Sequence, residues 1–148
     1  MAGVESFEVQ ALSSAPPAAV FALLADGPSW QRWAGPLIRR ATWDREGDPA
    51  PGGFGAVRKL GAPPLFSREE IVAYDPPHHL AYTMLSGQPV RDYRADVRLV
   101  PDGAGTRIEW AATFRPRIPG TGRLMRWYLG AIVGGFARRL AAYAAARG

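Results

Sequence analysis

The chain has 148 residues, 47% hydrophobic and 21% charged, with five tryptophans and no cysteine. That composition suits a globular fold large enough to hold a core without staples. It excludes disulfides, cysteine-ligated zinc, iron–sulfur clusters and thiol nucleophiles. The net charge is +5, with 17 of the 18 cations arginine.

The arginines are scattered, with no run longer than Arg39-Arg40 or Arg138-Arg139. A coding sequence rich in G and C raises arginine, alanine, glycine and proline together, and explains the bias better than a nucleic-acid footprint does. "MAGVESFEVQ" lacks the basic and apolar regions of a secretory signal, and no apolar run reaches the length of a membrane span. The expectation is one domain over residues 1–148, cytoplasmic, with no nucleic-acid partner and no membrane span.

In chain order, Val4–Leu12 carries mixed alternation and β-formers and predicts a strand. "SSAPPAAVFALLAD" predicts a helix with Ser13 or Ser14 as cap and the prolines in its first turn. "GPSWQRWAG" predicts a second short helical or irregular piece. Six segments of seven to eleven residues follow, from "LIRRATWD" to "TRIEWAATFRP", separated by links with Gly, Pro and Asp. That texture predicts an antiparallel meander. Its last two strands alternate cleanly: Tyr93, Ala95, Val97 and Leu99 on one face of the first, Ile108, Trp110, Ala112 and Phe114 on one face of the second.

The chain closes with a predicted helix of roughly 25 residues, well above the globular mean. Its expected apolar stripe runs Leu124, Tyr128, Ile132, Phe136, Leu140 and Ala144, widened by Met125, Leu129 and Val133. Gly134-Gly135 is expected to weaken or bend its middle. The order is therefore one strand, two short helices, six strands and one long helix. Such a helix laid across a curved sheet covers its concave side and can leave a cavity.

This order resembles the START-like superfamily of helix-grip proteins, and within it the bacterial polyketide cyclase/dehydrase and lipid-transport group. The resemblance rests on "APPAAVFALLADGPSWQRWAG", "GFGAVRKL", "EEIVAYDPPHHLAYTM" and "GTRIEWAATF", in that order and spacing. It implies an α+β helix-grip fold, a seven-stranded curved antiparallel sheet with two short helices and one long C-terminal helix. It also makes "DPPHH" the hairpin between the fourth and fifth strands, so His78 and His79 are expected to be an inert solvated turn. Function is less specified, because such folds host carriers, receptors and cyclases.

Neither "GGFG" nor "GTG" has the spacing of a phosphate loop, and no serine sits in a nucleophile elbow. Glu69 and Glu70 point to opposite faces; Glu69 is inward in one register and solvated in the other. An inward Glu69 is a candidate general acid, and Tyr93 is a second candidate for acid–base work. Arg91 falls on the face of Tyr93, placed either to snorkel or to meet the polar end of a ligand. Tyr82, Tyr93, Trp110 and Phe114 on the strands, and Tyr128, Ile132 and Phe136 on the helix, are the expected ligand-facing residues. Trp33 either gates the cavity entrance or anchors its helix.

The reading is a binder of a small hydrophobic molecule, a lipid, polyketide or aromatic metabolite, with no metal and no cofactor, as monomer or homodimer. One alternative is a polyketide aromatase/cyclase or dehydratase using a cavity acid or base. The other is a protein-interaction module using the same groove.

Overall fold

The computed structural model describes residues 3–147. Among them the chain forms strand β1 (Glu5–Ser13), helix α1 (Pro17–Ala25), a 3-10 turn (Gly27–Ser29) and helix α2 (Trp30–Trp33). Strands β2 (Arg40–Arg45), β3 (Val57–Ala62), β4 (Leu65–Asp75), β5 (His79–Ser86), β6 (Val90–Asp102) and β7 (Gly105–Pro116) follow, then helix α3 (Gly122–Arg147). The strands make one antiparallel sheet in the order β1-β7-β6-β5-β4-β3-β2. This is the expected element order, and the sheet grips α3.

Short links explain why β3 to β7 pair in sequence order; β2 adds beside β3 after the longer link 46–56, and β1 joins the far edge beside β7. Irregularities in register place an extra residue in β2, β4, β5 and β6. Each such bulge bends its strand and raises the local twist, which curves the sheet around the helix. The expected alternation in β6 and β7 is present: Tyr93, Ala95, Val97, Leu99, Ile108, Trp110, Ala112 and Phe114 are all buried.

The start of α1 differs from expectation. Its cap is Pro16, with no side-chain hydrogen bond. Ser13 Oγ instead accepts from the Ala15 N–H at 3.2 Å and donates to the Ala141 carbonyl of α3 at 2.8 Å. It joins β1 to the last turns of the long helix.

Helix α3 runs unbroken through Gly134-Gly135. A Cβ on Gly130 would touch Phe7 at 3.7 Å and one on Gly134 would meet Val9 at 3.6 Å. These are ordinary packing distances: the helix rests on β1 at both glycines, and that tertiary packing outweighs the weak helix propensity of glycine. The buried row of α3 is Met125, Leu129, Val133, Ala137, Leu140 and Ala144, and Leu124 is exposed. The expected stripe is thus turned about its axis, with Tyr128, Ile132 and Phe136 along its flank. No helix among the described residues is long and apolar enough to cross a membrane.

Candidate functional site

Between α3 and the concave side of β3 to β6 lies a cavity of about 230 Å³. Leu60, Met84, Leu129, Ile132, Val133 and Phe136 supply its apolar walls. Glu69, Tyr82 and Tyr93 bring polar atoms to the same space. Pro36, Leu37, Leu65 and Tyr128 also line it, and the last three are exposed, so they rim the mouth. A larger hollow, about 640 Å³, lies between α1, Pro49–Gly52 and the turn at Pro76-Pro77. It is an open furrow whose lining holds a single charged residue, Asp26.

The polar end of the cavity rests on a residue that the sequence reading did not single out. Arg58 on β3 is fully buried, and its register partner across β4 is Glu69. Its Nε donates to Glu69 Oε1 at 3.0 Å and its Nη1 to the Leu24 carbonyl at 3.1 Å. Its guanidinium lies 4.5 Å from the ring centre of Trp30 and 4.8 Å from that of Tyr82. Aromatic faces stabilise a desolvated cation in this geometry. Its Nη2 is buried without a hydrogen-bond partner.

Glu69 is therefore inward and ion-paired, which resolves the open register. Burial pushes its carboxyl above the ordinary range, and the charge and hydrogen bond of Arg58 pull it part of the way back. Glu70, facing out, pairs with Arg45 at 2.7 Å. Burial also raises the Tyr82 phenol, helped by the nearby Glu69 charge. Tyr93 is raised by burial, then by Tyr82 and Glu69. Both phenols consequently stay protonated and able to donate at neutral pH. Trp110 Nε1 donates to Tyr82 Oη at 3.2 Å, and Tyr93 is hydrogen-bonded to the same hydroxyl.

Of the expected ligand-facing residues, Tyr82, Tyr93, Tyr128, Ile132 and Phe136 line this one cavity. Trp110 lies behind Tyr82 and Phe114 behind Tyr93, the latter pair stacked at 6.2 Å, so both brace the wall rather than form it. Trp33 is buried against Trp30, with ring centres 4.5 Å apart, and its Nε1 donates to Ser29 Oγ at 3.2 Å. It anchors α2 and does not line the cavity.

Arg91 departs most from the expected alternation. The pairing of β6 with β7 shifts between Arg91 and Arg94, and Asp92 takes a positive φ of 53°. Aspartate is among the few residues that tolerate that backbone region. The bulge turns Val90 inward and Arg91 outward, into a surface hollow shared with Gln88 and Arg117.

His79 Nε2 lies 2.7 Å from Asp96 Oδ2, and Arg94 Nε donates to Asp96 Oδ1 at 3.0 Å. This cluster joins neighbouring strands outside the cavity. Burial alone would raise the Asp96 carboxyl, but Arg94 and His79 outweigh it and lower the carboxyl. No group of three His, Asp or Glu among the described residues is arranged to hold a metal ion.

A curved antiparallel sheet closed by one long helix over a cavity defines the helix-grip class of START-like proteins. The sequence profile described as polyketide cyclase / dehydrase and lipid transport matches residues 5–145, and the chain belongs to that family. A START superfamily protein from Mycobacterium smegmatis superimposes with a TM-score of 0.82 at 11% identity, over 97% of this chain and 99% of that one. A norcoclaurine synthase point mutant of Thalictrum flavum, in complex with a transition-state analogue, gives 0.77 at 13%, over 99% and 98%. Ara h 8.0201 gives 0.72 at 23%, over 96% and 98%. At these identities the likeness concerns the fold. No curated protein matches the sequence.

Proposed function

We propose that this protein binds a small, mainly apolar molecule with a hydroxyl or carbonyl group at one end, held between the sheet and α3. The observation that carries this reading is the joining of apolar walls and three convergent polar groups, Glu69, Tyr82 and Tyr93, in one cavity. About 230 Å³ equals roughly eight water molecules at liquid density. It falls below the ~300–1,000 Å³ usual for drug-sized ligands. That size favours a one- or two-ring molecule over a long-chain lipid. Apolar burial supplies most of the affinity, at ~25 cal/mol per Å². A ligand carbonyl or phenol oxygen accepts from a tyrosine hydroxyl, and Glu69 accepts from a ligand hydroxyl.

Tyr93→Phe removes one orienting hydroxyl without changing the shape of the wall. Its expected effect is a loss of affinity of about five- to tenfold for phenolic ligands, measured by calorimetry. Affinity for the matching hydrocarbon stays the same. Equal affinity of native and variant protein for the phenol contradicts the placement of the polar end.

A second reading, an enzyme acting on polyketide-like substrates, is favoured by one observation: a carboxyl beside the cavity whose pKa is raised by burial. Groups tuned this way serve in acid–base chemistry. On this reading Glu69→Gln slows turnover of a poly-β-keto ester by ~100-fold or more while ligand binding persists. Equal turnover by native and Glu69→Gln protein removes it.

A further inference from the structure

The surface around the cavity mouth carries apolar side chains that nothing among the described residues covers. Leu65, at the β3–β4 turn, is 80% exposed, Trp127 71% and Leu124 62%. Ile118 and Leu37 are each more than half exposed. Leu124, Trp127 and Tyr128 share one face of α3 at spacings of three and four residues. Leu37, Leu65 and Tyr128 line the cavity itself, which fixes this face as the mouth. Ile118 lies in the link leading into α3.

Cations surround the same face. Arg91 and Arg117 share the hollow beside the β5–β6 turn, and that hollow has Met84 and Gln88 in common with the cavity. Arg123 stands one turn before Trp127, and Arg39 follows Leu37 by two residues. None of these four arginines is in an ion pair among the described residues. Two acids stand near them: Asp92, in the same hollow, lies 3.8 Å from Arg115, and Glu5, packed against Gly122 beside Arg123, lies 3.8 Å from Arg126.

We propose that this face docks on an anionic lipid surface, with Leu65, Leu124 and Trp127 entering the boundary between headgroups and acyl chains. The apolar side chains stand on a hairpin tip, two links and a helix. A protein partner would need pockets matched to each of them, whereas a bilayer boundary accepts protruding side chains individually. Tryptophan favours that depth, and unpaired arginines around it favour anionic headgroups. Docked in this way, the cavity opens toward the membrane, where apolar molecules partition. The docking surface stands whether or not the cavity binds a ligand.

The test is cosedimentation with vesicles of phosphatidylcholine containing roughly one-third phosphatidylserine, against vesicles of phosphatidylcholine alone. The expected result is binding to the anionic vesicles, a blue shift in Trp127 emission that Trp127→Phe abolishes, and weakening by salt. Leu65→Ser with Trp127→Ala lowers partition by about tenfold or more. Arg117→Glu lowers it by about fivefold or more. All three residues are exposed, so unchanged melting temperatures confirm that the variants fold. Absence of binding to anionic vesicles, or equal binding to neutral ones, overturns the proposal. Variants that partition like the native protein overturn it too. A dimer formed through Leu65 and Trp127 in place of vesicle binding also overturns it.

Discussion

Replacing Glu69 with leucine lowers the stability of the fold by about 3–5 kcal/mol, a drop in melting temperature of roughly 6–20 °C. The cause is the charge left behind. Arg58 is fully buried, and Glu69 is its one anionic partner among the described residues. A guanidinium keeps its charge at any accessible pH, so the fold cannot discharge it. The rings of Trp30 and Tyr82 and the Leu24 carbonyl compensate only partly.

Arg58→Met is milder, because the orphaned carboxyl can take up a proton. The Glu69 carboxyl is already raised by burial, and removal of Arg58 raises it further. A folded-state pKa above the unfolded one means the native state binds the proton more tightly. Stability is then greatest below the ordinary carboxylate range and is lost as pH rises through the folded value. Arg58→Met therefore costs less at about pH 5 than at about pH 8, whereas Glu69→Leu, which deletes the titrating carboxyl, does not become milder at the lower pH. The double variant Arg58→Met/Glu69→Leu recovers much of the loss, since no charge remains buried. Urea unfolding of the four proteins at two pH values checks each point. Equal losses for both single variants at both pH values contradict the account.

The second large effect concerns ligand rather than stability. Ile132→Trp places an indole in the cavity and lowers affinity for a small phenol by about 100-fold or more, while stability changes by less than ~1.5 kcal/mol. Ile132 lines the cavity and is only partly buried, so the larger ring has space to enter without displacing packed neighbours. Ala131→Trp, one residue earlier and exposed, leaves affinity unchanged. Displacement titration of a bound phenol measures both.

The sequence carried most of the fold because turn residues and alternation act locally. Gly, Pro and Asp between short segments marked the meander, and the period of two placed Tyr93 and Trp110 inward. The site was less legible, for three physical reasons. Arg91 was misplaced because a bulge at Asp92 adds a residue to β6, and a bulge leaves the alternation of the sequence unaltered. Leu124 was misplaced because the helical stripe has two plausible phases, and contact with β1 through Gly130 and Gly134 selects one.

Arg58 was missed because nothing within its own strand distinguishes a buried cation from the many solvated arginines of the chain. The signal was there: Arg58 shares its strand face with Leu60, and a carboxylate at Glu69 lies opposite it across the sheet. Pairing between strands is a long-range property, and one strand read alone does not contain it.

The claim on which this account rests is that the space beneath α3 admits a guest oriented by Glu69, Tyr82 and Tyr93. Calorimetric titration with naphthol, a two-ring phenol, tests it most directly. The account predicts saturable one-to-one binding with a Kd of roughly 10–200 µM, abolished by Ile132→Trp. Absence of saturable binding, or the same affinity in the filled variant, would contradict it.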